Sequence, residues 1–283
     1  MRLFAIDTGN LKLDGGAMFG VVPKVIWNKI YPADENNLCN WSMRCLLADT
    51  GDRRVLIDCG IGDKQTEKFF GNYFLNGDGT LDGSLASAGY KLSDITDVII
   101  THLHFDHAGG AVRWDRDKTD YILTFRNAVH WISRQQWEWA VNPNNREKAS
   151  FLKENILPIR DKGTLKLIEQ DSEICPGISV RLYHGHTDGQ MIPFIRCKDR
   201  TVVYMGDLLP SSAHIPLPYV MAYDTRPLVT LEEKEAFLKE AALYGHILFL
   251  EHDLYTECCT VVETEKGVRV KDKFSLSEAF SSS

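Results

Sequence analysis

The feature that most constrains this chain is a group of histidine and aspartate side chains within six consecutive positions. His102, His104, Asp106 and His107 follow the apolar run 98–100 after a single threonine. A short run of β-branched residues predicts a buried strand. Placing three imidazoles and a carboxylate in a protein interior is costly unless they bind a cation. The sequence therefore predicts a metal site at the end of a strand.

The spacing divides these four side chains into two pairs. His102 and His104 project to the same side of an extended segment, because side chains alternate across a strand. Asp106 and His107 come where the chain must turn into a helix, so we expect them to point toward a second cation. The pair 109–110, Gly-Gly, leaves room for the backbone to pass close to the metals. Imidazole and carboxylate ligands suit Zn²⁺, Fe²⁺, Mn²⁺ or Co²⁺.

Further strands are predicted to end at residues of the same chemical type. Apolar runs end shortly before His186, Asp207 and His252. These runs are 178–183, 201–205 and 246–250. If the strands share an edge of packed sheets, the three side chains converge on one rim, where α/β folds usually carry their chemistry.

The remaining pattern is a mixture of strands and helices. The runs 42–48 and 54–58 flank a turn cluster and predict a β-hairpin. Residues 133–159 favour helix with a break at 142–145. Residues 231–244 predict an amphipathic helix.

That last helix has a predicted start signal. Thr230 is expected to be its N-cap residue, with Glu233 completing a capping box.

Composition narrows the class of protein. The chain has 283 residues, is 44% hydrophobic and carries a net charge of -7, which argues against a nucleic-acid-binding surface. From its residue pattern we expect neither a signal peptide nor a membrane-spanning segment. The seven cysteines are odd in number and form no C-x-x-C pair, which favours reduced thiols and a cytoplasmic location. We expect a single domain over 1–283 with a disordered tail at 281–283.

The ordered set of motifs resembles one known family. The segment 101–110, T-H-L-H-F-D-H-A-G-G, resembles the signature of the metallo-β-lactamase superfamily. The segment 185–189 is similar to the family's G-H-T-x-G motif, Asp207 to its G-D carboxylate and His252 to its final ligand. The resemblance runs from about residue 40 to residue 252. It implies an α/β fold, an αββα sandwich of two mixed β-sheets flanked by helices.

The same resemblance implies a dinuclear centre with two divalent metal ions, zinc first, with iron, manganese or cobalt as alternatives. The implied ligands are His102, His104 and His186 for one metal, Asp106, His107 and His252 for the other, and Asp207 as the bridge. A hydroxide between the metals is the implied nucleophile. The G-H-T-x-G motif selects His186 over its neighbour His184. His214 is expected to support the site or lie at the surface.

The segment 206–224 is similar to the branch that holds N-acyl-homoserine lactonases and methyl-parathion-hydrolase-like enzymes. This implies hydrolysis of a lactone or carboxylic ester, with Asp106, Asp207 and Tyr223 in catalytic roles. A glyoxalase-II-like thioester hydrolase is the alternative, and a phosphotriesterase or phosphodiesterase is a further one. The expected partner is a small-molecule substrate, not nucleic acid or a membrane, and a homodimer remains one alternative.

Three regions have two interpretations each. Tyr223 lies further from the bridging aspartate than the tyrosine of the best-known lactonases, so its phenol either contacts substrate or is a core aromatic. The segment 15–23 forms either a wall of an acyl pocket or a buried β-hairpin. Trp131, Trp137 and Trp139 either line that pocket or serve packing.

Overall fold

A computed structural model of the chain describes residues 1–281. In chain order the strands are β1 (Arg2–Asp14), β2 (Leu38–Asp49), β3 (Arg54–Ile57), β4 (Asp97–Ile99), β5 (Val112–Trp114), β6 (Tyr121–Leu123), β7 (Val129–Ser133), β8 (Leu165–Ile168), β9 (Ser172–Cys175), β10 (Ile178–Tyr183), β11 (Gln190–Cys197), β12 (Arg200–Tyr204), β13 (Ile247–Phe249), β14 (Cys258–Thr264) and β15 (Gly267–Phe274). The helices are α1 (Gly15–Phe19), α2 (Lys24–Trp27), α3 (Glu67–Gly71), α4 (Leu81–Ser87), α5 (Phe105–Ala108), α6 (Arg134–Val141), α7 (Lys153–Asp161), α8 (Pro227–Tyr244) and α9 (Leu276–Phe280).

The described chain divides into two compact units. Unit 1 comprises Met1–Asn10, Met43–Ser172 and Gly189–Met191. Unit 2 comprises Leu11–Ser42, Glu173–Asp188 and 192–281. The expected single domain over 1–283 stays a prediction. Of the expected tail, Ser281 caps α9, and the last two residues lie outside the described range.

Unit 1 is organised by a mixed sheet with the strand order β1-β2-β3-β4-β7-β8. Strands β2 and β3 pair antiparallel with Leu46 opposite Ile57, so the predicted hairpin is present. Strands β3, β4, β7 and β8 run parallel. Helices α6 and α7 lie in the predicted helical region, but the break between them is longer than the expected 142–145, since it runs from residue 142 to residue 152. Because parallel strands end at one edge, residues that follow β3 and β4 lie next to each other.

Unit 2 contains a mixed sheet with the strand order β15-β14-β13-β12-β11-β10-β9. Strands β12 and β13 are parallel neighbours with Val203 opposite Leu248. The residues that follow these two strands therefore share an edge. Helix α8 buries Phe237, Leu238 and Ala241 in the apolar core of this unit. Both units thus combine mixed sheets with helices, and the α/β fold expectation is confirmed.

The segment 15–23 is not the β-hairpin offered as one of its interpretations. Asp14 accepts a hydrogen bond from the Ala17 N–H at 2.8 Å and so caps the short helix α1. The helix ends at Gly20, whose φ of 57° is readily adopted only by glycine. Its Met18 and Phe19 side chains are buried in the core of unit 2.

Helix α8 begins four residues before the predicted start, at Pro227. Proline is favoured at the first helical position because its φ is already helical and its missing N–H is not needed there. Thr230 therefore lies inside the helix. The Glu233 carboxylate does not form the predicted capping box; it accepts hydrogen bonds from the N–H groups of His184 and Gly185 at 2.7 and 2.9 Å.

All seven cysteines are buried and none forms a disulfide bond. Within residues 1–281, no helix combines the length and apolar character needed to cross a membrane.

Candidate metal centre

In unit 1 the ligand segment is organised by Asp58, which directly follows β3. The Asp58 carboxylate is fully buried and accepts hydrogen bonds from the Thr101 N–H and hydroxyl, both at 2.7 Å. It also accepts one from Nδ1 of His107 at 3.0 Å. With its Nδ1 proton held there, His107 keeps Nε2 as a lone-pair donor for a metal.

His102 and His104 point at each other, as the alternation of an extended segment predicts. Nε2 of His102 lies 2.9 Å from Nδ1 of His104. The Thr101 hydroxyl donates to Asp58 and can therefore accept the Nδ1 proton of His102, which lies 3.1 Å away. The ring nitrogens that face one another are thus the ones available to a shared cation.

The other ring nitrogen of His104 faces a buried carboxylate. Nε2 of His104 is 3.4 Å from Oε1 of Glu147, which is 4% exposed. The second oxygen of Glu147 accepts hydrogen bonds from Nε1 of Trp139 and Nδ2 of Asn144, both at 2.6 Å. The interruption between α6 and α7 therefore supplies a carboxylate that faces the ring nitrogen of His104 directed away from His102.

Asp106 and His107 lie on α5, which starts immediately after His104. Oδ2 of Asp106 is 3.8 Å from Nε2 of His107, and both residues are buried. The second predicted pair is therefore close in space.

The two glycines after α5 are required by a close backbone approach. A Cβ atom on Gly110 would lie 2.0 Å from the carbonyl oxygen of Cys59, and one on Gly109 would lie 2.1 Å from that of Ile61. The Gly110 N–H donates to the Gly60 carbonyl at 2.9 Å. These glycines make room for the segment after β3, and the room that they are expected to leave beside the metals stays a prediction.

In unit 2, Asp207 connects two histidines. Its Oδ2 lies 3.1 Å from Nε2 of His186, and its Oδ1 lies 3.1 Å from Nε2 of His252. Asp207 follows β12 and His252 follows β13, the parallel pair that ends at one edge. Each carboxylate oxygen therefore faces a different imidazole.

The other ring nitrogen of each of these imidazoles, Nδ1, also has a hydrogen-bond partner. Nδ1 of His186 donates to Oδ1 of Asp224 at 2.8 Å, and Nδ1 of His252 donates to the Ser42 carbonyl at 2.7 Å. Burial lowers the pKa of His186, but the carboxylates of Asp207 and Asp224 outweigh it and raise the pKa to about 10. The same negative charge that favours a proton on Nε2 of His186 would also favour a divalent cation in its place.

Three neighbouring residues have different surroundings. The His184 side chain is 40% exposed, and its Nδ1 lies 3.0 Å from Asp188. His214 is buried, with Nε2 donating to the Met18 carbonyl at 2.9 Å. Tyr223 is 41% exposed, which is not the environment of a core aromatic. Its catalytic role stays a prediction.

The three tryptophans of the central region serve packing and hydrogen bonding within unit 1. Trp131 donates to Asp97 at 2.9 Å, and Trp137 lies in the apolar core. Trp139 holds Glu147, as described above.

Each unit therefore carries a buried cluster of imidazoles and carboxylates whose chemistry suits a divalent metal ion. Sequence reasoning missed Asp58, Glu147 and Asp224, which accept or face the outer nitrogens of His107, His104 and His186. The available signal was general: a ligating histidine nearly always donates its second ring N–H to a carboxylate, a carbonyl or water.

Comparison with known proteins agrees with these clusters. Residues 44–252 match the family model of the metallo-beta-lactamase superfamily. An N-acyl homoserine lactonase of Bacillus thuringiensis is 27% identical over 283 residues, covering 95% of this chain and 96% of that protein. The corresponding enzyme of Bacillus cereus is 27% identical over 248 residues, covering 83% of this chain and 87% of that protein.

Solved structures share the fold of this chain. A probable metal-dependent hydrolase from Staphylococcus aureus has a TM-score of 0.86 and 31% identity, covering 96% of this chain and 98% of that one. A dizinc quorum-quenching lactonase in complex with a product has a TM-score of 0.79 and 21% identity, covering 97% and 95% of the two chains. The chain therefore belongs to the metallo-beta-lactamase superfamily of metal-dependent hydrolases.

Proposed function

We propose that this protein hydrolyses a lactone or another carboxylic ester with two divalent metal ions, zinc first. The proposed ligands are His102, His104 and His186 for one metal, Asp106, His107 and His252 for the other, and Asp207 for both. The observation that carries the proposal is the position of Asp207, whose two oxygens each lie 3.1 Å from a different imidazole. A carboxylate held in this way is suited to bridge two cations.

When bound, the metals lower the pKa of a water molecule toward neutrality and polarise the carbonyl group of the substrate. The chain fixes the imidazoles in advance. Asp58, Asp224 and the Ser42 carbonyl each hold one Nδ1 proton, so that Nε2 of His107, His186 and His252 carries the lone pair. Because these acceptors are buried, the three rings are oriented before a metal binds.

Asp106 and Tyr223 are the proposed catalytic side chains besides Asp207. The Asp106 carboxylate, 8% exposed on α5, would take the proton released by the attacking water and pass it to the leaving oxygen. The half-exposed Tyr223 phenol would donate a hydrogen bond to the oxygen that gains charge. Tyr223 directly precedes Asp224 in the chain, and Asp224 accepts the Nδ1 proton of the proposed ligand His186.

The comparisons favour lactones among the possible substrates. The N-acyl homoserine lactonase of Bacillus thuringiensis aligns over nearly its whole length, and the dizinc neighbour binds its own lactonase product. The thioesterase and phosphoesterase alternatives are decided by experiment.

The deciding experiment is a substrate panel on purified, zinc-loaded protein. The panel contains N-acyl-homoserine lactones, aryl esters, S-lactoylglutathione and phosphotriesters, with an Asp207→Ala preparation as the control for contaminating hydrolases. We expect a lactone or an aryl ester to be turned over at least 100-fold faster than by the control, since such losses are typical when a catalytic group is removed. Turnover of the thioester or the phosphotriester alone would overturn the proposal in favour of the corresponding alternative.

A further inference from the structure

A buried lysine lies outside the clusters that carry the proposed metal ligands. Lys234, on α8, is 1% exposed. Its Nζ donates hydrogen bonds to the carbonyl oxygens of His214, Pro216 and Tyr219 at 3.0, 3.1 and 2.9 Å. An ammonium group has three protons, so these three carbonyls satisfy it fully. All three belong to the segment 211–223, which we call the connecting loop.

The connecting loop is also fixed on a second side, to α1. The His214 ring stacks on Phe19 with centroids 4.8 Å apart and planes within 3°. His214 donates to the Met18 carbonyl through Nε2 and accepts from the Ser211 hydroxyl at 2.7 Å through Nδ1. Burial lowers the pKa of His214 to about 3, so the ring is neutral and can make both bonds.

The loop begins shortly after Asp207 and ends directly before Asp224, which holds His186. Asp224, 2% exposed, accepts the Nδ1 proton of His186 at 2.8 Å. The next two residues bind the same segment, since the Thr225 N–H donates to the His186 carbonyl at 3.0 Å and the Arg226 N–H to that of Gly185 at 2.9 Å. The orientation of the His186 imidazole therefore depends on where the loop ends.

We propose that Lys234 is a positioning residue for the metal centre: its ammonium fixes the connecting loop, and the loop fixes Asp224 against His186. The inference rests on the proposed metal site and extends it to a residue that contacts none of the proposed ligands. If this position served packing alone, an apolar side chain would fill it with a smaller desolvation penalty. Burying an ammonium group is unfavourable unless the group is fully hydrogen-bonded. The three carbonyl bonds give Lys234 a role that an apolar residue of the same length does not fill.

The test measures zinc binding without any substrate. Lys234→Met keeps the length of the side chain and removes the three donors, and Lys239→Met, an exposed lysine of the same helix paired with Glu235, is the matched control. Zinc affinities are measured by competition with a chromophoric chelator on protein that circular dichroism shows to be folded. We expect Lys234→Met to weaken one of the two zinc sites 10–100-fold, the range for loss of a group that orients a ligand. Lys239→Met should stay within twofold.

Two more variants separate positioning from general support of the fold. Lys234→Arg keeps a cation with several donors and should recover at least part of the lost affinity. Lys234→Gln is measured alone and combined with Asp224→Asn. The double variant should bind zinc no more weakly than Asp224→Asn alone, because both changes act through one path. Unchanged zinc affinity in folded Lys234→Met, or fully additive losses in the double variant, would overturn the inference. If Lys234→Met does not fold, the double variant decides. Since no substrate is involved, a failure of the lactonase proposal leaves this result unaffected.

Discussion

Oε1 of Glu147 lies 3.4 Å from Nε2 of His104, on the side of the ring opposite the nitrogen that faces His102. The carboxylate is held in place by Trp139 and Asn144. A carboxylate in this position favours the His104 tautomer that carries its proton on Nε2 and leaves Nδ1 free to bind a metal. The break between two helices thus contributes to the proposed metal centre.

Glu147→Gln should weaken metal binding without unfolding the chain. The amide keeps the shape of the side chain but loses the negative charge that holds the Nε2 proton, so we expect a 10–100-fold loss in zinc affinity. Glu138→Gln is the matched control, because Glu138 is 65% exposed on α6. Equal zinc affinities for the two variants, measured by chelator competition, would count against the role of Glu147.

Asp207→Ala should remove metal and activity together. The carboxylate is proposed to bind both cations and to offset their mutual repulsion, so its loss affects each of them. Elemental analysis should show fewer than two metals per chain, and turnover of the best substrate should be abolished. The control is His184→Ala, whose half-exposed ring bonds to Asp188. If Asp207→Ala keeps two metals and ordinary turnover, the bridging assignment is wrong.

Tyr223→Phe should slow turnover and leave the metals in place. Removing one donor to a developing oxyanion costs at most about 10²–10³ in rate. We expect the loss in kcat, with metal content near that of the unmodified protein. Tyr244→Phe, at a tyrosine that is 69% exposed on α8, serves as the control. Unchanged kcat in Tyr223→Phe would show that the phenol does not contact the reacting group.

His130 should make the stability of the protein sensitive to mild acid. Burial lowers the pKa of this fully buried histidine from 6.5 to about 4. The unfolded chain therefore takes up a proton at a higher pH than the folded chain does, and stability is lost as the pH falls from 6.5 through 4. The shift corresponds to about 3 kcal/mol at most. His130→Leu should lack this part of the pH dependence in urea unfolding at pH 7 and pH 4. Parallel pH profiles of the two proteins would contradict the expectation.

Gly110→Ala should destabilise the folded chain. Its Cβ would lie 2.0 Å from the Cys59 carbonyl oxygen, a contact that only a backbone shift can relieve. Overpacking of this kind costs about 1–3 kcal/mol in the free energy of unfolding. Gly71→Ala is the control, since a Cβ there meets nothing within 4 Å. Equal midpoints of thermal unfolding for the two variants would show that the backbone after β3 can shift at little cost in stability.

The sequence allowed prediction of those parts of the molecule that depend on local pattern. Apolar runs predicted the strands before His186, Asp207 and His252, because buried strands need continuous apolar residues. The predicted start of α8 at residue 231 is wrong because the Glu233 carboxylate does not cap the helix. It accepts hydrogen bonds from the backbone N–H groups of His184 and Gly185 instead. A propensity argument cannot anticipate that partner.

The carboxylates that orient the proposed ligand histidines could not be predicted from the sequence for a similar reason. Asp58, Glu147 and Asp224 are ordinary acids among the 39 of the chain. They acquire their roles through the parallel pairing of β3 and β4, the break after α6 and the course of the connecting loop. None of these is encoded within a few residues of the histidine concerned.

The contact between the two glycines after α5 and the carbonyl groups of Cys59 and Ile61 has a consequence for protein engineering. The segment 101–110, which carries four of the proposed ligands, depends on the segment 58–61. That second segment supplies both the surface on which the glycines lie and the carboxylate that holds His107. Grafting the motif alone onto another scaffold would transfer the histidines without the backbone that shapes them. A successful transplant needs both segments together with the parallel strands that present them side by side.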